Sequence, residues 1–542
     1  MEIRFQKDAE EIGDPGQQLN DFVNEMEERQ AEWIARLQNN PDEFVQIETE
    51  VHQAFGEGGG RWLAALMVRG SEEPAAEDDE FPGNSSRRRE PRTVRVQLLC
   101  GLMLWVTTWY VVPQPRKDAE KKTQQLGGLY PQLAAMGFGK GCSPGLQYTV
   151  ARIVALSPSI EVARKELRRQ GLKLDYKTVR RIAEQLGTQL LALRQRELLA
   201  WRAGYLPAGN EFAGCRVSVQ IDGGRIRMRH NKKHSKNRKK GERTKFKTPW
   251  REPKLLTIFA FDDKGKMVHK HRQPLIDGTL LGPDHLAELV AYHLHRLGVA
   301  EAEVVVFAAD GAPWIWDRIN WIVRRAGLDP EKVVEVLDFC HASHHISMAL
   351  KALGLKGKTR KTRYRELRGW LKEGRHTEIV AELRRLAKEK GIKPDKTETD
   401  KTEIGKTETD KKKSKVWTEI RYLEKHGLAG RLDYANFRER GLPLGSGAIE
   451  STIRRVINLR LKSNAMYWLE ENAEAMFVLR GILLCDRWDE TLTRVRATMA
   501  TDRSLEWQWD APEIPKDLNA QAEVAPPIPQ PHTTKDVMAI VA

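Results

Sequence analysis

The sequence predicts an α/β protein: a mixed sheet covered by helices, interrupted by a helical insertion and preceded by a mainly helical region. Three observations predict it. Between residues 215 and 340 the strand-like runs CRVSVQID, RIRMRH, LLTIFAFD, EVVVFAAD and VVEVLD alternate with helical stretches around Asp284 to Arg296 and Ala312 to Ala326, a β-β-β-α-β-α-β order. Val304 to Ala309 is apolar at every position, as a central strand covered on both faces should be. The segments before and after this region carry helical periodicity instead.

Taken in order, residues 1–70 form a helical module. Leu19, Phe22, Val23, Met26, Trp33, Ile34 and Leu37 recur at helical spacing, a second helix follows Pro41, and the glycines around 57 to 60 are expected to break it. Residues 71–93 mix acids, Pro, Ser and an Arg run, as an exposed linker would. Residues 94–210 hold an apolar hairpin turning near Cys100-Gly101, which accounts for the uncharged run Val96 to Val112 better than a membrane span. A helix-turn-helix follows, in which Gly171 ends one helix and Asp175 caps the next. The core comprises 211–345 and 441–490. Its strand order, with acids at strand ends, is that of a ribonuclease H-like sheet. The insertion, 346–440, contains the low-complexity repeat 396–413, three KTETD-like units too polar to bury a core, and the tail 511–542 is expected to be disordered.

With 90 Lys+Arg against 75 Asp+Glu, the 542-residue chain carries a formal net charge of +15, which favours a polyanionic partner. The five cysteines lack any C-x-x-C pair, so neither a disulfide framework nor a zinc ribbon is expected. The acidic start MEIRFQKDAEEIGD lacks the apolar stretch of a signal peptide, so secretion is not indicated.

Three acids stand in distinct settings. Asp222 closes CRVSVQID, where period-two alternation with Val217, Val219 and Ile221 sends it to the polar face; Asp310 closes VVVFAAD; Glu450 stands where GSG opens a helix with Ile449, Ile453 and Ile457 on its core face. Each has an ordinary reading, an Asp-Gly turn or a first-turn acid favoured by the helix dipole. Together they suggest a site for two hard divalent cations, Mg²⁺ or Mn²⁺, of the kind that clamps the attacking and leaving oxygens of a phosphodiester. Cationic residues suited to DNA flank them. Lys232, Lys233, Arg238, Lys239 and Lys240 crowd the loop after Asp222; Arg454 and Arg455 follow Glu450; Lys177, Arg180 and Arg181 lie on the second helix of the helix-turn-helix.

The segments IDGGRIR, TPWREPKLLTIF, VVVFAADGAPWIWDRI, VLDFCHASHHI and LPLGSGAIESTIRRVINLRLKSNAMYWLEENAEAMFVLR resemble the DDE transposases of bacterial insertion sequences. The likeness is closest to the ISKra-type family, related to the Mutator-like superfamily, and covers residues from about Cys215 to Trp488. It implies that Asp222, Asp310 and Glu450 hold the metal ions, with Asp222 bridging both, and that Asp338 and His341 form the family's D-x-x-H pair. It implies an enzyme that cuts double-stranded DNA at element ends and joins the 3′ ends to target DNA. Such an enzyme would work as a homodimer or higher oligomer in the bacterial cytoplasm at the nucleoid, with no membrane partner. Two departures stand out: no cysteine pair follows the hairpin, so no zinc is expected, and the KTETD repeat lies outside the family pattern. The rival expectations are a ribonuclease H-like nuclease without strand transfer and a non-catalytic DNA-binding protein of transposase descent.

Overall fold

A computed structural model describes residues 1–6, 9–71, 86–113, 128, 130–231, 245–268, 273–393, 408–501 and 514. They fall into two units, residues from 1 to 190 with 492–501 and residues from 191 to 491 with 514.

In the first unit β1 (Glu2–Arg4), β2 (Ser86–Gln97) and β3 (Met103–Pro113) form an antiparallel sheet in the order β1-β3-β2. The apolar run is a hairpin, turning at Gly101 in the left-handed region (φ 90°). Strand β2 begins at Ser86, so residues 86–93 of the expected linker belong to the sheet, and Ile3 pairs with Val106, so the N-terminal module and the hairpin share one sheet. Among the described residues no helix is long and apolar enough to cross a membrane.

Helices α1 (Pro15–Asn39) and α2 (Phe44–Gly70) are joined by a single short turn and so run antiparallel. Contrary to expectation, α2 passes straight through Gly56-Glu57-Gly58-Gly59-Gly60. Packing overrides propensity here: a Cβ on Gly58 would come within 2.2 Å of the Phe22 ring, and one on Gly60 within 2.6 Å of Cys100 Sγ. The glycines let neighbours approach the helix backbone. After α3 (Pro131–Ala135) and α4 (Pro144–Leu156) come α5 (Ile160–Arg169) and α6 (Tyr176–Arg202). As expected, Gly171 (φ 82°) ends α5, and the Asp175 carboxylate accepts from Thr178 N at 3.0 Å. Ala163, Leu167, Val179, Ile182, Ala183 and Leu186, the apolar positions of the two helices, are buried.

The second unit takes the end of α6, from Leu191, and continues with β4 (Arg216–Gly223). The paired dipeptides β5 (Ile226–Arg227), β6 (His230–Asn231), β7 (Phe246–Lys247) and β8 (Trp250–Arg251) follow, and then β9 (Lys254–Ala260) and β10 (Leu275–Thr279). Next come α7 (Pro283–Arg296), β11 (Val304–Ala309), α8 (Pro313–Arg325), β12 (Val333–Leu337) and α9 (Phe339–Ala352). The insertion supplies α10 (Gly357–Lys372), α11 (His376–Glu389), α12 (Glu408–Leu428) and α13 (Tyr434–Glu439), before α14 (Gly447–Ile453) and α15 (Glu470–Leu484); α16 (Trp488–Thr501) follows and from Leu492 belongs to the first unit.

One five-stranded mixed sheet organises this unit, in the order β10-β9-β4-β11-β12, antiparallel from β10 to β4 and parallel from β4 to β12. Its third strand is a correction to the sequence reading. RIRMRH does not enter the sheet; it forms the ladders β5–β8 and β6–β7, and the place is taken by LIDGT at Leu275–Thr279. The reason is burial: an Arg at every second position cannot enter a sheet covered on both faces, whereas Leu275 to Thr279 is buried throughout despite its turn-like Asp-Gly. Helix α7 packs on β9 and β10, α14 on β4 and β9, and α15 on β10. The insertion's repeat lies outside the described residues up to 407, and Glu408 onward belongs to α12; the tail lies outside them except for Ile514, which is buried.

Asp277 on β10 is polar yet buried, and its partners explain why. Arg194 donates to its Oδ1 (3.1 Å), to the Gly278 carbonyl (3.2 Å) and to Glu474 of α15 (2.8 Å), while His293 Nε2 lies 2.9 Å from Asp277 Oδ2. Burial works against ionising Asp277, but Arg194 and His293 outweigh it and hold the carboxyl below its ordinary value. Arg194→Ala would leave two buried carboxylates without their cation, so unfolding by urea is expected to show a loss of about 3–5 kcal/mol, and a loss below about 1 kcal/mol would remove the network from the core.

Candidate functional site

The site is built at one edge of the parallel half of the sheet. Ile221 pairs with Ala309, and Ala309 pairs with Leu337. The next residue in each strand is an aspartate, so Asp222, Asp310 and Asp338 stand side by side at the carboxyl ends of β4, β11 and β12. Neighbouring strands lie about 4.8 Å apart, and the carboxyl ends of parallel strands are where open α/β sheets place ligands.

The three then part company. Asp222 is half-buried, and its Oδ1 accepts from the backbone N–H of Gly223 at 2.6 Å. Asp310 accepts from Ala312 N at 3.0 Å through Oδ1, and its carbonyl accepts from the Trp316 indole at 2.7 Å. Asp338 is buried and turns away: Oδ1 accepts from His341 N (2.8 Å), capping α9, and Oδ2 accepts from Ser446 N (2.6 Å) and Ser446 Oγ (2.9 Å). The D-x-x-H pair is therefore a helix cap joined to a clamp on the GSG turn.

That clamp positions the third acid. Phe339 N donates to the Leu444 carbonyl at 3.0 Å, and Gln220, two residues before Asp222, grips the same turn twice. Its Nε2 donates to the Gly445 carbonyl (3.1 Å) and its Oε1 accepts from Ile449 N (3.0 Å). Ser218 and Gln220 are thus buried rather than solvated, because α14 covers the polar face of β4. Ile449 is buried and the adjacent Glu450 is exposed, as the helix pattern predicts. The helix is short, however, and widens into a π-helical turn over Arg454–Asn458, after which Leu459 is exposed. Such turns are rare and are frequent at functional sites.

Charge converges on Asp222. Burial pushes its carboxyl up to about 6; Asp310 and Glu450 push in the same direction, while the Gly223 N–H and His341 pull it down. The donor set is all carboxylate with one imidazole beside it, which suits Mg²⁺ or Mn²⁺ in kind. Among the described residues, no three His, Cys, Asp or Glu side chains are drawn into one coordination shell. The acids share a field rather than a shell.

Helix α12 of the insertion supplies a wall that sequence reasoning missed. A Cβ on Gly311 would lie 2.1 Å from the Tyr422 ring, so this glycine is needed for close approach and not for the turn. Tyr422 stacks on His345 (3.6 Å between centroids), and His345 Nδ1 lies 2.5 Å from Glu419. Burial, and after it Asp310, raises the Tyr422 phenol above its ordinary value, and its hydroxyl has no hydrogen-bond partner among the described residues. Nothing in the helical pattern of α12 singles out Tyr422; Gln220 was legible only as a polar residue two before Asp222. A cavity of about 530 Å³ lies beside the site, lined by Gln220, Thr257, Leu444, Ala448 and Arg455, but none of the three acids borders it.

A two-stranded arm leaves the sheet directly after Asp222. Arg227 lies over Trp250 (4.8 Å) and Arg229 over Phe246 (4.5 Å), which meets Tyr467 edge-on at 5.4 Å. Trp468 closes the arm, accepting from Arg229 N at 2.7 Å and donating its N–H to the Arg227 carbonyl at 3.0 Å. The expected phosphate contacts Lys232, Lys233, Arg238, Lys239 and Lys240 lie outside the described residues. Of the other cations, Arg454 is exposed but Arg455 is half-buried with Nε shielded from water. Lys177, Arg180 and Arg181 are all exposed at the start of α6, where Arg180 pairs with Glu184 (2.8 Å) and Arg181 donates to the Lys140 carbonyl (3.4 Å).

No family model, curated protein or solved structure matches the chain.

Asp222 has a signature in solution. Its carboxyl holds a proton more tightly folded than unfolded, so stability falls as pH rises from the ordinary value of 3.8 through about 6 and the full penalty applies above that window. Asp222→Asn should therefore be more stable than the parent above pH 6. Residual contact with water keeps the difference to about 1–2 kcal/mol. The gain should vanish near pH 4; thermal denaturation across this range measures it, and an equal offset at both ends would mean that Asp222 does not titrate abnormally.

Proposed function

We propose that the chain is a DDE transposase, a metal-dependent enzyme that cuts double-stranded DNA at the ends of an insertion element and joins the 3′ ends to target DNA. The observation that carries this reading is the alignment of Asp222 and Asp310 at the carboxyl ends of parallel strands, with the turn that carries Glu450 hydrogen-bonded to β4 through Gln220. The strand order β10-β9-β4-β11-β12, with its first three strands antiparallel, supports a ribonuclease H-like core. The segments that resemble ISKra-type transposases include the strands ending in Asp222 and Asp310 and the turn before Glu450, which supports the same reading.

Asp222, Asp310 and Glu450 would hold two Mg²⁺ or Mn²⁺ ions. Bound there, the ions would supply Lewis-acid stabilisation of an in-line displacement at phosphorus. The remaining work belongs to the chain. Gln220 and Asp338 fix the turn from which Glu450 projects, so its carboxylate is held without being buried. Tyr422 lies against Gly311 beside Asp310, and the Trp316 indole donates to the Asp310 carbonyl and so holds its backbone. The arm carrying Arg227, Arg229 and Lys247 begins four residues beyond Asp222 and would follow the phosphate backbone. Lys177, Arg180 and Arg181 would read element ends from a helix-turn-helix. A DNA substrate places this work at the bacterial nucleoid.

The test is chemical. On a plasmid carrying the coding region with its flanking DNA, Asp222→Asn, Asp310→Asn and Glu450→Gln should each abolish Mg²⁺-dependent cleavage and strand joining, with DNA binding retained. Parental rates in the three variants would end the assignment. Cleavage without joined products would favour the structure-specific nuclease, and binding without cleavage by the parent chain the non-catalytic protein.

The arm makes a separate prediction. Neutralising Arg227, Arg229 and Lys247 should weaken binding to all sequences alike and reduce the slope of log affinity against log salt by about 0.9 per lost phosphate contact. A parental slope in this triple variant, measured by fluorescence anisotropy, would turn the arm away from DNA.

A further inference from the structure

The arm that follows Asp222 has two sides of different chemistry. Along Ile226 to Arg229 the side chains alternate: Ile226 and Met228 are buried, while Arg227 is exposed and Arg229 half-buried on the other side. Trp250 is the register partner of Arg227 and so shares its side of the ladder, and Phe246 lies under Arg229. Both rings remain open to solvent, Trp250 at 48% and Phe246 at 37%. Each has a guanidinium over one face, and no second ring or cation covers the other face of Trp250 among the described residues. The two rings are four residues apart, at most about 13 Å at roughly 3.3 Å per residue, so they can meet two different ligand groups.

Charge and ring geometry together select the partner. Residues 225–231 and 245–251 hold six cations, Arg225, Arg227, Arg229, Lys245, Lys247 and Arg251, and no acid. Only Arg251 has a carboxylate near it, Glu470 at 3.8 Å. Such a surface draws a polyanion, but cations alone would serve paired and unpaired strands equally. The rings break that tie. In a duplex each base is stacked on its neighbours and shows only its edges, whereas every base of an unpaired strand has a π-face to offer an aromatic side chain. An anionic lipid surface would want a continuous apolar face to insert, and here each ring is bracketed by a guanidinium.

We infer that this side of the arm binds unpaired DNA, Trp250 and Phe246 stacking on bases while Arg227 and Arg229 hold the phosphates beside them. The inference rests on the transposase reading for the identity of the polymer and adds to it the strandedness of the substrate. The arm is tied to the acidic site at both ends: β5 starts four residues after Asp222, and Trp468, which closes the arm, follows the helix that carries Glu450. A strand held there is single-stranded next to the carboxylates.

Fluorescence anisotropy of the full chain in EDTA is the test, with a dT oligonucleotide of about 20 nucleotides, a random-sequence duplex of the same length, and an abasic strand of that length with every phosphate and no base. Trp250→Ala and Phe246→Ala should each weaken dT binding roughly 5- to 150-fold, the equivalent of about 1–3 kcal/mol per stacked base, with duplex affinity within about 2-fold of the parent and the salt slope unchanged. Trp250→Phe should restore most of the loss. The abasic strand covers the case of a variant that misfolds, because the parent itself should bind it at least about 10-fold more weakly than dT. Equal affinity of the parent for dT and the abasic strand, or variants that lose duplex and dT alike, would overturn the proposal and leave the transposase reading in place. A parent that binds no DNA would overturn both, and one that prefers bases yet cuts nothing would end only the transposase reading.

Discussion

The parallel register of β4, β11 and β12 is the constraint from which the rest of the site follows. Because Ile221, Ala309 and Leu337 are aligned, the three aspartates that follow them cannot be anywhere but adjacent. Fully buried Val304 to Ala309 keeps that register, since a slip of one residue would turn every side chain of the strand to the opposite face. Like charges placed in a row by hydrophobic forces need an outlet. The chain supplies two, by capping α9 with Asp338 and by giving Asp222 and Asp310 backbone N–H partners.

A second consequence concerns Glu450, which is distant in sequence and not on the sheet. Its position depends on hydrogen bonds from β4 and from the β12–α9 junction, all directed at Leu444 to Ile449. The same strands that carry the first two acids therefore also orient the third. An exposed carboxylate on a seven-residue helix would otherwise have little to hold it.

Much of this was legible in the sequence, and the misses share a cause. The alternating run 217–221, the apolar run 304–309, the helix-ending Gly171 and the Cys100-Gly101 turn are local signals, and they appear where local rules put them. LIDGT carries an Asp-Gly that reads locally as a turn, while the ladder with β9 that makes it a strand and the partners Arg194 and His293 that let Asp277 be buried lie outside any local window. The GEGGG run was read as a break because Phe22 and Cys100, which lie against it, are equally invisible from a local window. The three acids could be nominated singly; that Gln220 and Ser446 would tie them together could not, because both hydrogen bonds cross more than a hundred residues.

Tyr422 lying on Gly311 has an evolutionary corollary. The insertion reads as a cassette in the sequence, something that could be excised or exchanged between relatives without touching the core. Its last long helix nonetheless occupies the space that a side chain at 311 would fill, directly beside Asp310. Core and insertion are thus bound to co-vary at this point: a chimera carrying a foreign insertion would lose the ring that roofs the second acid, and any enlargement of residue 311 would demand a smaller one at 422.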